Sequence, residues 1–252
     1  MLFQVAGIEF EYEPHSAYVS DTLSPFAVTD EPRGLPGEGS PIRAIIDPDT
    51  CARYAAEAKS ESPTIGDDVA ESFGVMHSVS DVLFQNDGMF LHSAAMSVDG
   101  MGYAICAPSG RGKSTQLRLW RELLGDRMRV INGDRPFLRW SRGRCYLCGS
   151  PWCGKEGWGE NIFAPLGAIA FLERAEGRPP HVEKVAAGKA IPQLLRQTVR
   201  LQTSEQLDAC CAFLERLVAE TPLYQAFCNV DVESARLTFQ TLSRGGTSPC
   251  ES

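Results

Sequence analysis

Eight consecutive residues in the middle of the chain have the types and spacing of a phosphate-binding loop. They are Ala107-Pro108-Ser109-Gly110-Arg111-Gly112-Lys113-Ser114, with Thr115 directly after them. Such a loop binds a polyphosphate through inward-pointing backbone N–H groups, and glycine permits the backbone conformations that this turn requires. We expect Lys113 to contact the β- and γ-phosphates, and the Ser114 hydroxyl to hold Mg²⁺ at the start of a helix. The leading hypothesis is therefore a nucleotide site, with all nine residues contacting ATP and Mg²⁺.

The loop departs from the strict G-x-x-x-x-G-K-[ST] pattern, because its first residue is Ala107. Its flanks nevertheless have the order that the chemistry needs. Residues 103–106 predict a short buried strand, and residues 116–124 predict an amphipathic helix that ends at Gly125. The apolar face of that helix comprises Leu117, Trp120, Leu123 and Leu124. An ordinary glycine-rich turn between a strand and a helix is the alternative.

Composition limits the partners and the compartment. The chain has 252 residues, 43% of them hydrophobic, which suits one large domain or two small ones. Its net charge of −8, with no cluster of basic residues, argues against a nucleic-acid surface. No run of about 20 apolar residues predicts a membrane span, so we expect a cytoplasmic protein. The sequence leaves the oligomeric state open, a homo-oligomer included.

Nine cysteines allow two interpretations. An odd number cannot pair completely, and free thiols in a reducing compartment are the simpler one. The alternative is a zinc site at Cys145, Cys148 and Cys153, completed by Cys210 or Cys211. Because side chains alternate along a strand, residues 144–148 should place Cys145 and Cys148 on opposite faces, which disfavours zinc.

Hydrophobic periodicity predicts a mixed order of strands and helices around the loop. Strands are predicted at 90–98, 103–106, 128–131, 137–140, 144–147 and 166–172, and helices at 67–85, 116–124, 191–200, 204–219 and 231–237. The apolar run 166–172 is typical of a central strand. His77, inside the first of these helices, is interpreted as a polar-face or partly buried helix residue in preference to a ligand.

The first 65 residues are less regular. Residues 3–12 predict one or two edge strands, and the Pro- and Gly-rich stretch 24–41 predicts an exposed loop. We expect this N-terminal β segment, 1–65, to pack on a P-loop domain formed by residues 66–252, the two making one compact unit.

Two residues outside the loop could complete a catalytic site. A phosphotransferase needs a group that accepts the proton of the attacking hydroxyl, together with a metal and positive charge. Asp134 follows the strand after the loop's helix, where a nucleotide-binding sheet usually places an acidic residue. The alternative is an ordinary turn aspartate, because Asn-Gly-Asp is also turn chemistry. His92 is predicted in the strand before the loop, beside the loop's own strand.

Together, these residues resemble the C-terminal catalytic domain of the HPr serine kinase/phosphorylase family. The stretch Gly149-Ser150-Pro151-Trp152-Cys153-Gly154-Lys155 is also similar to a Pro-Trp-x-Gly-Lys segment in the phosphoenolpyruvate carboxykinase-like P-loop group. The resemblance covers residues 92–172 well and the flanks loosely. It implies a mixed α/β fold of this P-loop type, with a mixed β-sheet core and flanking helices.

The resemblance also implies an activity, the ATP-dependent transfer of phosphate to a serine-type hydroxyl of a protein, a peptide or a small molecule. In that case Lys113 binds phosphate, Asp134 acts as base or metal ligand, and His92 orients Asp134. Ser114 binds Mg²⁺, while Lys155 and Glu156 extend the phosphate and metal site, with Glu156 as a further metal ligand.

The chain departs from this family at one informative position. The family has two adjacent aspartates where this chain has Gly133-Asp134. Either Asp134 serves both roles, or Glu156 supplies the second carboxylate, or activity is reduced. The chain also lacks the signature that couples phosphorylation to dephosphorylation, so HPr is not assigned as its substrate. A catalytically inactive nucleotide-binding module and a carboxykinase-type enzyme are the alternatives.

Overall fold

The computed structural model describes residues 1–28, 34–38, 40–198 and 201–245. Within these ranges the chain forms seven α-helices and twelve strands. The helices are α1 (Ala17–Leu23), α2 (Pro48–Glu61), α3 (Asp67–Phe84), α4 (Lys113–Leu124), α5 (Ala187–Leu195), α6 (Ser204–Glu220) and α7 (Val232–Gly245). The strands are β1 (Leu2–Val5), β2 (Ile8–Glu11), β3 (Ile42–Ile45), β4 (Gly88–Phe90), β5 (Ser93–Val98), β6 (Met101–Cys106), β7 (Met128–Asn132), β8 (Phe137–Ser141), β9 (Arg144–Cys148), β10 (Phe163–Arg174), β11 (His181–Lys184) and β12 (Leu223–Cys228).

The larger sheet is mixed and curled. Nine strands belong to it, in the order β4-β8-β9-β10-β6-β5-β7, and β12 and β11 extend it from β10. The long strand β10 holds the two halves together. Its first residues pair antiparallel with β9, while its remainder pairs parallel with both β6 and β12. The predicted mixed α/β architecture, a mixed sheet with flanking helices, is confirmed.

The sheet separates two hydrophobic cores, because successive side chains point to opposite faces. In β6, Tyr103 and Ile105 enter the core formed with α4 and α7, while Ala104 and Cys106 enter the core on the other face. The second core also receives side chains from α3, β8, β9 and the N-terminal strands. Strand β6 is therefore buried on both faces, and its end is held in a fixed position.

The helix that follows the glycine-rich loop forms as its sequence predicts. Leu117, Trp120 and Leu124 are buried on one face, and Leu123 is partly buried beside them. Gly125 ends the helix in a conformation with a positive φ of 54°. The prediction of a strand, a loop and a helix around Lys113 is therefore confirmed. The helix begins at Lys113, three residues before the predicted start.

The N-terminal part contains more structure than the sequence predicts. The predicted edge strands of residues 3–12 are β1 and β2, which form a hairpin, and β3 adds to it in parallel. Helices α1 and α2 were not predicted. The stretch 24–41 was predicted as an exposed loop, which is wrong for Phe26 and Leu35, because both are buried. Residues 29–33 and 39 of that stretch lie outside the described ranges.

Three predicted segments differ from the structure. The predicted strand 90–98 is two strands, β4 and β5, because one pairs with β8 and the other with β6 and β7. His92 lies in the two-residue connection between them, so its placement in a strand is wrong. Helix α5 spans Ala187–Leu195 instead of 191–200, of which 199 and 200 are not described, and α7 extends to Gly245.

The C-terminal part was predicted to be mainly helical, and that prediction missed β11 and β12. The helix predicted at 67–85, the hairpin of β8 and β9, the central position of β10, and α6 are confirmed. Across the described ranges, no helix is long and apolar enough to cross a membrane.

Candidate functional site

The pairing of three strands brings the predicted residues to one edge of the sheet. Strand β5 runs antiparallel to β6, so its first residue Ser93 lies opposite Cys106, the last residue of β6. Strand β7 is also antiparallel to β5, and its end, Asn132, lies opposite Ala95. His92, the loop after Cys106 and Asp134 are therefore neighbours, although up to 42 residues separate them along the chain.

The loop between β6 and α4 owes its two glycines to backbone conformation. Gly110 has a φ of 73° and Gly112 a φ of 106°, both in the region that disfavours other residues. A Cβ at Gly110 would meet nothing within 4 Å, and one at Gly112 would only touch the Leu172 side chain at 3.6 Å. The left-handed dihedral, and not steric crowding, therefore explains both glycines. Residues 108–111 are exposed at the mouth of a cleft.

Lys113 is held by groups of the site itself. Its side chain is almost buried, and Nζ donates to the carbonyl oxygen of Ala107 at 2.9 Å. Nζ also lies 3.0 Å from Nε2 of His92. Burial lowers the pKa of the Lys113 ammonium, and the negative charge of Asp134 partly offsets this. The contacts with Ala107 and His92 therefore hold the ammonium beside the loop, where it could contact a bound polyphosphate.

His92 connects Lys113 to Asp134 through one ring nitrogen. Nε2 lies 3.1 Å from Oδ1 of Asp134 as well as 3.0 Å from Nζ of Lys113. A single ring nitrogen either donates or accepts, so it cannot accept from Lys113 and donate to Asp134 at the same time. If Nε2 accepts from Lys113, the ring proton lies on Nδ1, so donation to Asp134 requires both that Lys113 moves away and that the ring carries a proton on Nε2.

Asp134 is an ionised carboxylate in a mostly buried position. Burial raises the pKa of its carboxyl, but the hydrogen bond with His92 and the positive charges of Arg135 and Lys113 outweigh burial. The pKa of Asp134 is therefore held below its usual value. Arg135 lies 3.4 Å from Oδ2 of Asp134, and its guanidinium stacks over the ring of Phe73. This second cation, at the same edge as Lys113, was not predicted.

Asn132 fixes the direction of Asp134, and the sequence analysis missed this role. The Oδ1 atom of Asn132 accepts from the backbone N–H groups of Asp134, at 2.8 Å, and Arg135, at 2.6 Å. Its Nδ2 donates to the carbonyl and hydroxyl oxygens of Ser150 at 2.9 and 3.0 Å. The side chain is fully buried. The sequence Asn-Gly-Asp indicated a turn at this position. It did not indicate the hydrogen bonds of Asn132, because the partner Ser150 is 18 residues away along the chain.

The glycine-rich stretch 149–159 folds against Asp134 and α4. Gly154 approaches so closely that a Cβ there would lie 2.8 Å from that of Asp134. Trp158 receives the guanidinium groups of Arg118 and Arg121 on its ring, at 5.3 and 5.1 Å. This stretch therefore forms one wall of the cleft, beside the catalytic candidates.

Glu156 and Lys155 belong to the same wall. Glu156 is paired with Arg118 of α4 at 3.1 Å, while Lys155 is exposed at the cleft. Ser114, partly exposed, lies in the first turn of α4 and also lines the cleft. The charge of Glu156 is thus engaged by an arginine, whereas the Ser114 hydroxyl and the Asp134 carboxylate are oxygen ligands of the kind that Mg²⁺ prefers.

The cleft has a volume of about 1590 Å³ and extends to both sides of the loop. On the side of Asp134 it is lined by α1, by the start of α3 and by the stretch 151–159. On the other side it is lined by the ends of β10 and β12. The loop therefore lies near the middle of a groove that has room for more than a phosphate chain.

Cys145, Cys148 and His77 lie outside the cleft lining, whereas Cys153 belongs to its glycine-rich wall. Over the described ranges, no three or more His, Cys, Asp or Glu side chains form a group that could hold a metal ion. Cys145 and Cys148 are buried in β9, and burial raises the pKa of the Cys148 thiol to about 12. The ring of His77 stacks on Tyr54 at 5.0 Å, and burial lowers its pKa. Of the two alternatives for His77, a polar-face or a partly buried helix residue, the structure shows the second, because His77 is partly buried in α3.

Comparison with known proteins gives limited similarity. No protein-family model matches the chain, and no curated protein matches it. Among solved structures, the Hpr(Ser) kinase/phosphatase from Coxiella burnetii is similar at 12% sequence identity. The match covers 62% of this chain and 93% of that one, with a TM-score of 0.35.

Proposed function

We propose that this protein is an ATP- and Mg²⁺-dependent phosphotransferase that acts on a serine-type hydroxyl. One observation carries the proposal: beside the glycine loop, His92 lies within hydrogen-bond distance of both Lys113 and Asp134. A phosphate cradle alone would support only nucleotide binding. An ionised carboxylate beside the cradle, oriented by a histidine, adds a group that can accept a proton from the attacking hydroxyl.

Each residue has a defined task in this reaction. The loop and Lys113 bind the triphosphate, and Asp134 accepts the proton as the acceptor oxygen bonds to the γ-phosphorus and the bond to the β-phosphate oxygen breaks. Once the Lys113 ammonium turns to the phosphates, Nε2 of His92 has no donor facing it, and the ring with its proton on Nε2 donates to Asp134. Arg135 adds positive charge beside the transferred group. Ser114 and Asp134 would hold Mg²⁺, which neutralises charge on the phosphates when it is bound.

The alternative function, a nucleotide-binding module without catalysis, is favoured by one observation. Gly133 leaves Asp134 as the single carboxylate of its turn, and Glu156 is engaged by Arg118. If two carboxylates are required at this position, the cleft would bind ATP and transfer nothing.

Two variants separate these functions. Lys113→Ala should abolish measurable ATP binding. Asp134→Asn should retain measurable binding, because the loop, Lys113 and Ser114 remain, and should lower phosphotransfer about 100-fold or more, because the proton acceptor is lost. Binding is measured by calorimetry. Transfer is measured by mass spectrometry of proteins and peptides encoded beside this gene, after incubation with ATP and Mg²⁺.

Exposed residues of the same type supply the controls. Lys189 lies in α5 and Asp126 lies in the turn after α4, both outside the cleft lining. Lys189→Ala and Asp126→Asn should therefore change neither ATP binding nor phosphotransfer. An Asp134→Asn variant that transfers phosphate at the wild-type rate would refute the role of that carboxylate. Nucleotide binding without transfer to any acceptor would favour the binding module.

A further inference from the structure

We propose that the nucleoside of the bound nucleotide lies on the side of the loop opposite Asp134, against the ends of β10 and β12. Leu172 and Val230 would contact the base, and Glu173 would accept hydrogen bonds from the ribose hydroxyls. This inference rests on the proposed function and extends it, because neither the motif nor the predicted site residues say where the nucleoside lies.

Strand direction places these residues at the same edge as the loop. Strands β6, β10 and β12 are parallel, with Phe171 opposite Cys106 and Arg174 opposite Cys228. Their carboxyl ends therefore meet at one edge, where open α/β sheets bind their ligands. Along this edge the order is β7, β5, β6, β10 and β12. The loop after β6 thus has the catalytic candidates on one side and the ends of β10 and β12 on the other.

The geometry of phosphoryl transfer assigns the two sides. The attacking and leaving oxygens lie roughly in line on opposite sides of the transferred phosphorus. With Asp134 beside the attacking oxygen, the leaving β-phosphate and the nucleoside attached to it must extend the other way. That direction leads past Gly112, where a Cβ would lie 3.6 Å from Leu172, towards residues 172–174 and 228–230.

The side chains at this end suit a nucleoside. Val230 is 83% exposed although it is apolar, and Leu172 lines the same part of the cleft. Together they offer apolar contact to the face of a base. Glu173 and Arg174 are exposed in the cleft, and within the described ranges neither side chain has a hydrogen bond or an ion pair. A free carboxylate is the acceptor that ribose hydroxyls need, as in dinucleotide sites.

Other polar groups nearby already have partners. The Asn229 side chain donates to the carbonyl of Arg178 and accepts from the N–H of Gly177, which holds the turn between β10 and β11. Glu176 lies 3.8 Å from Arg178. Of the two described glutamates at this end of the cleft, Glu173 and Glu176, Glu173 is the one without an ion-pair partner.

The test compares ATP with inorganic tripolyphosphate, which has the phosphates and no nucleoside. With Mg²⁺ present, the wild-type protein should bind ATP about tenfold or more tightly than tripolyphosphate, measured by calorimetry. The double variant Glu173→Ala/Val230→Ser should lose about tenfold in ATP affinity and keep its tripolyphosphate affinity. Glu173→Gln alone should remove any preference for ATP over 2′-deoxy-ATP.

The matched control is Glu183→Ala/Ile45→Ser, which removes an exposed glutamate and an exposed isoleucine, 92% accessible, away from the cleft. It should leave both affinities unchanged. Equal affinity of the wild type for ATP and tripolyphosphate, or a double variant with intact ATP affinity, would overturn the nucleoside placement while the loop still binds phosphate. A wild type without preference for ATP over 2′-deoxy-ATP would overturn the role of Glu173. Failure of the wild type to bind either ligand would instead refute the proposed function.

Discussion

Two backbone oxygens crowd the space that a side chain at position 133 would occupy. A Cβ there would lie 3.2 Å from the carbonyl oxygens of Cys153 and Trp158, both in the glycine-rich wall of the cleft. The N–H of Gly133 also donates to the Trp158 carbonyl at 2.7 Å. The wall could admit a side chain only by moving away from Asp134. A second carboxylate at this position therefore requires the neighbouring backbone to shift by a few tenths of an ångström.

Replacing Gly133 by aspartate tests this. We expect Gly133→Asp to lower the free energy of unfolding by about 1–3 kcal/mol, as overpacked sites do, without increasing phosphotransfer. Urea unfolding and the transfer rate are the two measurements. Gly34→Asp, at a described glycine with open space around it, controls for the added charge. A faster variant of unchanged stability would contradict the packing argument and show that a missing carboxylate limits the rate.

At the residue scale, the sequence predicted the groups that carry charge but not those that hold them. Lys113, His92 and Asp134 were chosen by type and order, and His92 lies within hydrogen-bond distance of both Lys113 and Asp134; their roles stay predictions. Arg135 and Asn132 were missed. Their partners, Phe73 and Ser150, are distant along the chain, so no local pattern shows that these polar side chains are fixed.

At the scale of elements, helices α2 and α3 approach closely at one glycine. A Cβ on Gly74 of α3 would lie within van der Waals overlap of the carbonyl oxygen of Cys51 in α2. Alanine favours a helix interior over glycine by about 1 kcal/mol, which alone would stabilise the protein. Here the clash involves backbone, which cannot rotate away. The destabilisation caused by this clash should therefore exceed the stabilisation that alanine gives the helix.

We predict that Gly74→Ala lowers the free energy of unfolding by about 1–3 kcal/mol. Gly188→Ala is the matched control, because Gly188 is also inside a helix, α5, and its Cβ would meet nothing within 4 Å. That control should be neutral or slightly stabilising. Both values come from chemical unfolding followed by circular dichroism. Equal effects at the two glycines would show that α2 and α3 can separate at little cost.

The elements that the sequence predicted are those with a long or repeated pattern. The 18-residue helix α3 shows several turns of apolar periodicity, and the hairpin of β8 and β9 is marked by Arg142-Gly143 at its turn. Strand β12 was missed because it is a run of only six residues between two long helices, α6 and α7. Short apolar runs of this kind are indistinguishable from helix ends by periodicity. Whether such a run forms a strand depends on pairing with neighbouring strands.

At the scale of the whole molecule, Arg139 joins the N-terminal segment to the large sheet. This arginine of β8 is buried, and its guanidinium donates to the carbonyl of Ala6 and pairs with Glu38 at 2.7 Å. It also contacts the carbonyl of Asn86 at 3.4 Å. Removing one partner of a buried ion pair leaves the other charge uncompensated, which costs about 3–5 kcal/mol.

We therefore expect Arg139→Ala to lower the free energy of unfolding by about 3 kcal/mol. Cleavage within residues 1–38 by a protease should also occur at denaturant concentrations that the wild type resists. The control is Arg178→Ala, an exposed arginine 3.8 Å from Glu176, whose removal should cost under about 1 kcal/mol. If the two variants unfold alike, Arg139 does not join the segments.

The parallel pairing of β6, β10 and β12 also governs when the cleft can form during synthesis. The loop after Cys106 emerges early, but the strand on its other side ends at Arg174, and β12 ends at Cys228. Parallel pairing between such distant segments forms slowly, because the intervening chain must first be ordered. A nascent chain therefore carries the complete glycine loop long before it has a groove. Until residue 230 has left the ribosome, the chain contains the glycine loop without the part of the groove that β10 and β12 form.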